Sequence, residues 1–196
     1  MNERPFQLVI LTGLLTILPI AAYFRIRSQI GGEKLDRLQE GWPILLGIRL
    51  PALAHALGLI TYAINPALMT WSQIAIPDWL RWLGLPLGVG AGGLLLWAMR
   101  SLGKNLTDTV VVRRGATLVR HGPYRYVRHP FYVAMFLTFQ ANFWLTANLF
   151  LLGSGMVVLF FIYQRTTREE ANLIERFGDT YRAYAAATPR FIPKWS

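Results

Sequence analysis

The chain has 196 residues, room for about one domain, yet 54% of it is hydrophobic and its mean hydropathy is +0.35, which excludes an ordinary soluble fold and points to a membrane protein. Its 20 Lys and Arg against 10 Asp and Glu leave a formal charge of +10, but these residues are spread over several loops rather than gathered into the soluble stripe that nucleic-acid binding requires. There is no cysteine, so disulfides, thiolate metal ligands and a cysteine nucleophile are excluded; His55, His121 and His129 are too scattered for a metal site.

A helix crossing the roughly 30 Å hydrocarbon core needs about 20 apolar residues. Residues 6–24 meet that and read as a retained span, because Arg4 is offset by Glu3 and no small-x-small cleavage pattern follows. The loop 25–41 carries four basic residues, Arg25, Arg27, Lys34 and Arg37. The second span, Trp42–Ile64, holds Arg49 and His55. Arg49 is about 10 Å along the helix from Trp42, so it either snorkels to the headgroups or lines a substrate cavity. His55 reads as a hydrogen-bonded packing residue. Residues 66–76 are apolar but too short to cross and read as an interfacial piece.

The third span, 79–99, contains Gly88-Val89-Gly90-Ala91-Gly92-Gly93, which satisfies the dinucleotide pattern G-x-G-x-x-G. That chemistry needs a preceding strand and an exposed helix N-terminus. Inside an apolar span, with Gly84, Gly88 and Gly92 at four-residue spacing, it reads instead as a small-residue packing face.

The connection 100–130 is basic, extended at 109–112, turned at 113–115 and extended again at 117–119. Residues 131–164 are apolar apart from Gln140, Asn142 and Asn148. As helix they would measure about 51 Å, too short for two upright spans and too long for one, which predicts a hairpin of two short helices turning near 142–148. The tail predicts a helix over 165–177 stopped by Gly178, a short helix from Asp179, then Pro189. Short cytoplasmic loops retain positive charge, and the loops 25–41 and 100–130 with the tail hold four, seven and six basic residues, 17 of the 20. Five spans with the N-terminus outside put all of them on one face. The expectation is an all-α membrane protein of about five transmembrane helices, residues 1–99 giving three spans and 100–196 a core of cytoplasmic connection, helical hairpin and helical tail.

Charge, imidazole and aromatic rings crowd at Gly122-Pro123-Tyr124-Arg125-Tyr126-Val127-Arg128-His129-Pro130-Phe131-Tyr132, directly before an apolar run. Ionisable groups at a membrane boundary mark a site or a pairing. In the tail, Arg165 and Glu169 are four apart and share one helix face.

Leu102-Gly103-x-Asn105, Thr117-Leu118-Val119, Gly122-Pro123-Tyr124, Arg128-His129-Pro130-x-Tyr132, Glu169-Glu170-x-x-Leu173, Phe177-Gly178-x-x-Tyr181-x-x-Tyr184 and Pro189-Arg190-Phe191-Ile192-Pro193 occur in that order. As an ordered set they resemble the isoprenylcysteine carboxyl methyltransferase family of integral-membrane methyltransferases. The resemblance covers about residues 102–193. It implies S-adenosylmethionine as methyl donor, S-adenosylhomocysteine as product, and a lipophilic acceptor entering from the bilayer.

Carried over by position, Ala116, Thr117, Leu118, Val119, Tyr124, His129, Pro130, Phe131, Tyr132 and Glu169 would contact the donor. Arg165 would face the acceptor, with Arg165 and Glu169 at the chemistry and Arg49 as a further acceptor contact. Relatives often have His where this chain has Ala116, so only backbone contact is expected there. Glu169 and Glu170 are adjacent, and a one-place shift of alignment exchanges their roles. Two rival readings are an NADPH-dependent membrane reductase of sterol-like substrates and a non-catalytic scaffold using the glycine face.

Overall fold

The computed structural model describes residues 3–29, 41–103 and 117–194. The extended and turn segments expected over 109–115 lie outside the described residues, as does Ala116. Among the described residues the architecture is all-helical. α1 is Arg4–Gln29, α2 Trp42–Ile64, α3 Asp78–Arg81, α4 Gly84–Leu102, α5 Pro130–Thr146, α6 Leu149–Phe177 and α7 Asp179–Ala187, with 3-10 segments at Pro66–Ser72 and Gly122–Arg125. Four stretches among the described residues are long and apolar enough to cross a membrane: Arg4–Phe24, Trp42–Ile64, Asp78–Leu102 and Leu149–Phe177. α5, at 17 residues, falls short of the usual length of about 20.

Local chemistry sets the boundaries. Pro66 biases Asn65 away from helix; Asn65 is extended and its side-chain oxygen caps Ala67 N at 3.1 Å, turning the chain into the 3-10 segment Pro66–Ser72. The hairpin turns at Ala147-Asn148, inside the expected window. Ala147 is left-handed (φ 50, ψ 40) and fully buried, a conformation that costs a non-glycine residue about 1–2 kcal/mol. Hydrogen bonds offset it: Ile74 N donates to Ala147 O (2.8 Å), Asn148 Nδ2 to Met69 O (3.0 Å), and Leu151 N to Asn148 Oδ1 (3.1 Å).

One expectation is corrected here. The tail helix at 165–177 is not separate from the hairpin; α6 runs unbroken for 29 residues from Leu149 to Phe177, about 43 Å. No Gly or Pro interrupts it after Gly155, and Gly178 at φ 54 ends it. The apolar part stops at Gln164, and the charged remainder projects beyond it.

Glycines set the helix contacts. A Cβ on Gly84 would lie 2.6 Å from Ala141 O of α5, and one on Gly88 would sit 3.6 Å from Ala141 Cβ, so the glycine-rich run is a packing face at these two positions; Gly90 and Gly93 have nothing within 4 Å. Gly47 lies under Phe161 and Gly58 under Phe150 and Leu151, joining α2 to α6.

The end of the bundle formed by the start of α1 and the α5–α6 turn is pinned by a cluster the sequence reading missed. Arg81 is fully buried. Its Nη1 and Nη2 donate to Glu3 Oε1 and Oε2 at 3.0 and 2.8 Å, and Nη2 and Nε donate to Leu145 O at 2.8 and 3.2 Å. Tyr62 donates to Glu3 Oε2 at 2.6 Å, and the guanidinium stacks 3.7 Å over the Phe6 ring. A buried charge persists only when paired and hydrogen-bonded in this way. Tyr62, Phe6 and Leu145 belong to the apolar core around it.

Candidate active site

The opposite end gathers the start of α5, the charged end of α6, α7 and the C-terminal strap. Gly122 is at φ +63, and a Cβ there would collide with Ser101 Oγ and sit 3.1 Å from Trp97 Nε1; only glycine lets this 3-10 turn press onto α4. Tyr124 is thereby buried beside Val119 and Ala98, and its carbonyl accepts from Tyr184 OH at 2.7 Å, which ties α7 down. Burial raises the Tyr124 and Tyr184 phenols above their ordinary range, Tyr184 to about 12. Both remain neutral donors at physiological pH.

Pro130 opens α5, where its missing N–H costs nothing. The two residues before it pair with the strap through their backbone: Arg128 N donates to Pro189 O at 2.8 Å and His129 N to Arg190 O at 3.1 Å. Their side chains converge on Glu170, which is buried. Glu170 Oε1 accepts from Arg128 Nε (2.9 Å) and His129 Nε2 (3.0 Å), while Oε2 accepts from Arg190 Nη2 (2.6 Å) and Nε (3.0 Å). Burial alone would raise this carboxyl, but the bonds from His129, Arg190 and Arg128 outweigh it and hold it down at about 2. Arg128 also donates to the carbonyls of Ala185 and Thr188, so one guanidinium closes the end of α7.

Glu169 has a different environment. Neighbours on a helix point about 100° apart, so Glu170 faces inward with Ile162 and Thr166 while Glu169 sits half-buried beside them. Its Oε2 accepts from Tyr132 OH at 2.8 Å. The Tyr132 ring stacks on the His129 imidazole at 5.5 Å and 17°, and the Phe191 ring lies tilted at 37°, 5.7 Å from that imidazole. Arg165 is half-buried one turn before Glu169 on the same edge of α6.

Of the expected site residues, the structure brings together His129, Pro130, Tyr132, Glu169 and, through Tyr184, Tyr124. Phe131 is half-buried, edge-on to Tyr132 at 6.0 Å. Thr117 is exposed, Leu118 half-buried and Val119 packed in the core. Arg49 stands apart. It is exposed on the outward stripe of α2 with Leu46, Leu50 and Leu53, the placement that suits snorkelling. His55 is buried, its Nδ1 facing Leu151 O (3.1 Å) and its Nε2 facing Asn142 Nδ2 (3.0 Å), a satisfied packing residue as expected. Arg128, Arg190 and Phe191 carried no assigned role in the sequence reading; their signal was the recurrence of basic and aromatic residues in two segments 60 residues apart.

Residues 84–175, from α4 into the last turn of α6, match the sequence model of the isoprenylcysteine carboxyl methyltransferase (ICMT) family. The protein-S-isoprenylcysteine O-methyltransferase of Schizosaccharomyces pombe is 36% identical over 105 residues, 49% of this chain and 42% of that protein. Methanethiol S-methyltransferase 1 of Bradyrhizobium diazoefficiens is 36% identical over 70 residues, 36% of this chain and 24% of that protein. A solved structure of the eukaryotic intramembrane Ras methyltransferase ICMT shares the fold, with a TM-score of 0.56 at 24% identity, over 78% of this chain and 53% of that one. The chain spans under half the length of the first curated relatives it matches. Residues 84–175 thus carry the sequence pattern of the isoprenylcysteine carboxyl methyltransferase family, within a fold that the chain shares with the solved ICMT structure.

Proposed function

We propose that the protein is an integral-membrane methyltransferase that moves a methyl group from S-adenosylmethionine to a lipophilic acceptor. The observation that carries it is the Tyr132–Glu169 pair, held at the polar end of an apolar helix bundle by the charge cluster on Glu170. The residues suit a sulfonium amino-acid nucleoside. Among the described residues Glu169 accepts one hydrogen bond, from Tyr132 on Oε2 at 2.8 Å, and its other oxygen suits a charge-assisted bond to an ammonium group. The Tyr132 ring offers a face to a sulfonium, worth about 0.5–2 kcal/mol. When bound, the donor supplies an electrophilic methyl on sulfur, which leaves as a neutral thioether when the acceptor's nucleophilic atom forms the new bond.

Such a displacement asks the protein for position more than for chemistry, and orientation contributes several kcal/mol. Arg165, one turn from Glu169, holds an anionic acceptor group by its planar fork, and the surrounding helices keep water from the reacting atoms. We further propose five crossings, α5 being the short fourth, with the N-terminus outside and the 17 basic residues of the loops and tail on the cytoplasmic face. Acceptor classes consistent with the relatives are a prenylcysteine carboxylate and a small thiol. The test is to incubate membranes containing the protein with labelled methyl donor and extract lipids. Label in an organic-soluble product that requires Glu169 supports the reading; NADPH binding without S-adenosylhomocysteine binding overturns it.

A further inference from the structure

Arg190 lies in the C-terminal strap, beyond the segment 84–175 that the family model covers. Its side chain places Nε and Nη2 on the same oxygen, Glu170 Oε2, at 3.0 and 2.6 Å. The other oxygen holds His129 Nε2 at 3.0 Å. An ionised carboxylate only accepts, so that imidazole nitrogen carries its hydrogen toward Glu170 and the ring plane is set from one edge. The ring also contacts two aromatic neighbours, Tyr132 stacked at 5.5 Å and Phe191 tilted at 5.7 Å. Tyr132 in turn donates to Glu169 Oε2 at 2.8 Å. A continuous chain of contacts therefore runs from the strap to the Glu169 carboxylate of the candidate site.

We propose that Arg190 is a positioning residue for the methyl-donor site, setting Glu169 through Glu170, His129 and Tyr132 without touching the donor itself; this rests on the donor site proposed above. Without Arg190, Glu170 keeps Arg128 and His129 on Oε1 but loses both donors on Oε2. The carboxylate then pivots about Oε1, the His129 edge is held less firmly, and the Tyr132 hydroxyl holds Glu169 in a wider range of orientations. The backbone pairing of Pro189 and Arg190 with Arg128 and His129 does not depend on the side chain, so the strap stays in place. A lysine brings one point charge where the fork brings two aligned donors to one oxygen, and restores the brace only in part.

The experiment is calorimetric titration of the purified full-length protein with S-adenosylhomocysteine, for wild type, Arg190→Gln, Arg190→Lys, Tyr132→Phe and the Arg190→Gln/Tyr132→Phe double variant, with melting temperature recorded for each. The inference expects Arg190→Gln to weaken binding roughly three- to tenfold, within the scale of a lost hydrogen bond to a charged group, and Arg190→Lys to fall between it and wild type. It expects the double variant to bind within about twofold of Tyr132→Phe, because both changes break one chain. Wild-type binding that Arg190→Gln leaves unchanged, whether or not the melting temperature falls, overturns it, as do losses that multiply in the double variant. No binding by wild type overturns the donor site and this inference together.

Discussion

Both ends of the bundle are built around arginine and glutamate, and the two clusters differ in what they leave open. At the Arg81 end, Glu3 uses both oxygens on Arg81, Tyr62 and Gln73, and the guanidinium spends itself on Glu3, Leu145 O and the Phe6 ring. Everything there is mutually satisfied, and the product is a joint between the start of α1, α2, α3 and α5. At the Glu170 end, two guanidinium groups and an imidazole saturate one carboxylate, while its neighbour Glu169, among the described residues, receives a single hydroxyl. A closed cluster fixes helices; one that braces an open group beside it can receive a ligand.

Breaking the closed cluster has the largest expected effect on stability. Glu3→Ala leaves Arg81 buried without its carboxylate, a change worth about 3–5 kcal/mol, seen as a lowered melting temperature and folded yield. S-adenosylhomocysteine affinity of the folded fraction should be unchanged, and an equal loss of affinity would erase the distinction between the ends. Glu169→Gln should do the reverse. Losing a hydrogen bond to a charged group costs roughly 1.5–3 kcal/mol, a tenfold or greater weakening of S-adenosylhomocysteine binding with the melting temperature nearly constant.

Arg165→Lys should cut turnover about tenfold, on the same scale, with little change in donor binding; equal activity would remove the anion-holding role. Acid sharpens the comparison further. Glu170 titrates near 2 in the fold against 4.5 in the open chain, so its stabilising contribution is complete above about pH 4.5 and is lost as pH falls toward 2. Proteolysis of the strap should therefore accelerate across that window, and Glu170→Gln should make the rate independent of pH there. Least affected is Arg49→Leu, on the outward stripe of α2, which should shift stability by no more than about 0.5 kcal/mol and leave donor binding intact.

Much of the scaffold was legible because apolar length and turn chemistry are local. The bounds Trp42–Ile64, the stop at Gly178 and the turn at 147–148 follow from prolines, asparagines and glycines within a few residues. The unbroken α6 was harder: the change from apolar to charged at Arg165 marks where the helix leaves its apolar surroundings, and nothing there ends the helix itself. Arg81 was invisible because its partner Glu3 is 78 residues away, although an ionisable residue inside an apolar span is a signal that a partner exists. The resemblance named Tyr132, His129 and Glu169, but adjacency left Glu169 and Glu170 interchangeable until the helix phase turned one inward. The brace through Arg190 and Phe191 depends on a strap folding back 60 residues, which no local pattern encodes.

The central claim is that Glu169 belongs to a methyl-donor site. Its most direct test is titration of S-adenosylhomocysteine into wild type and Glu169→Gln at matched stability. Saturable binding by wild type, weakened at least tenfold in the variant, is the predicted result; equal affinity of the two, or no binding by wild type, would contradict it.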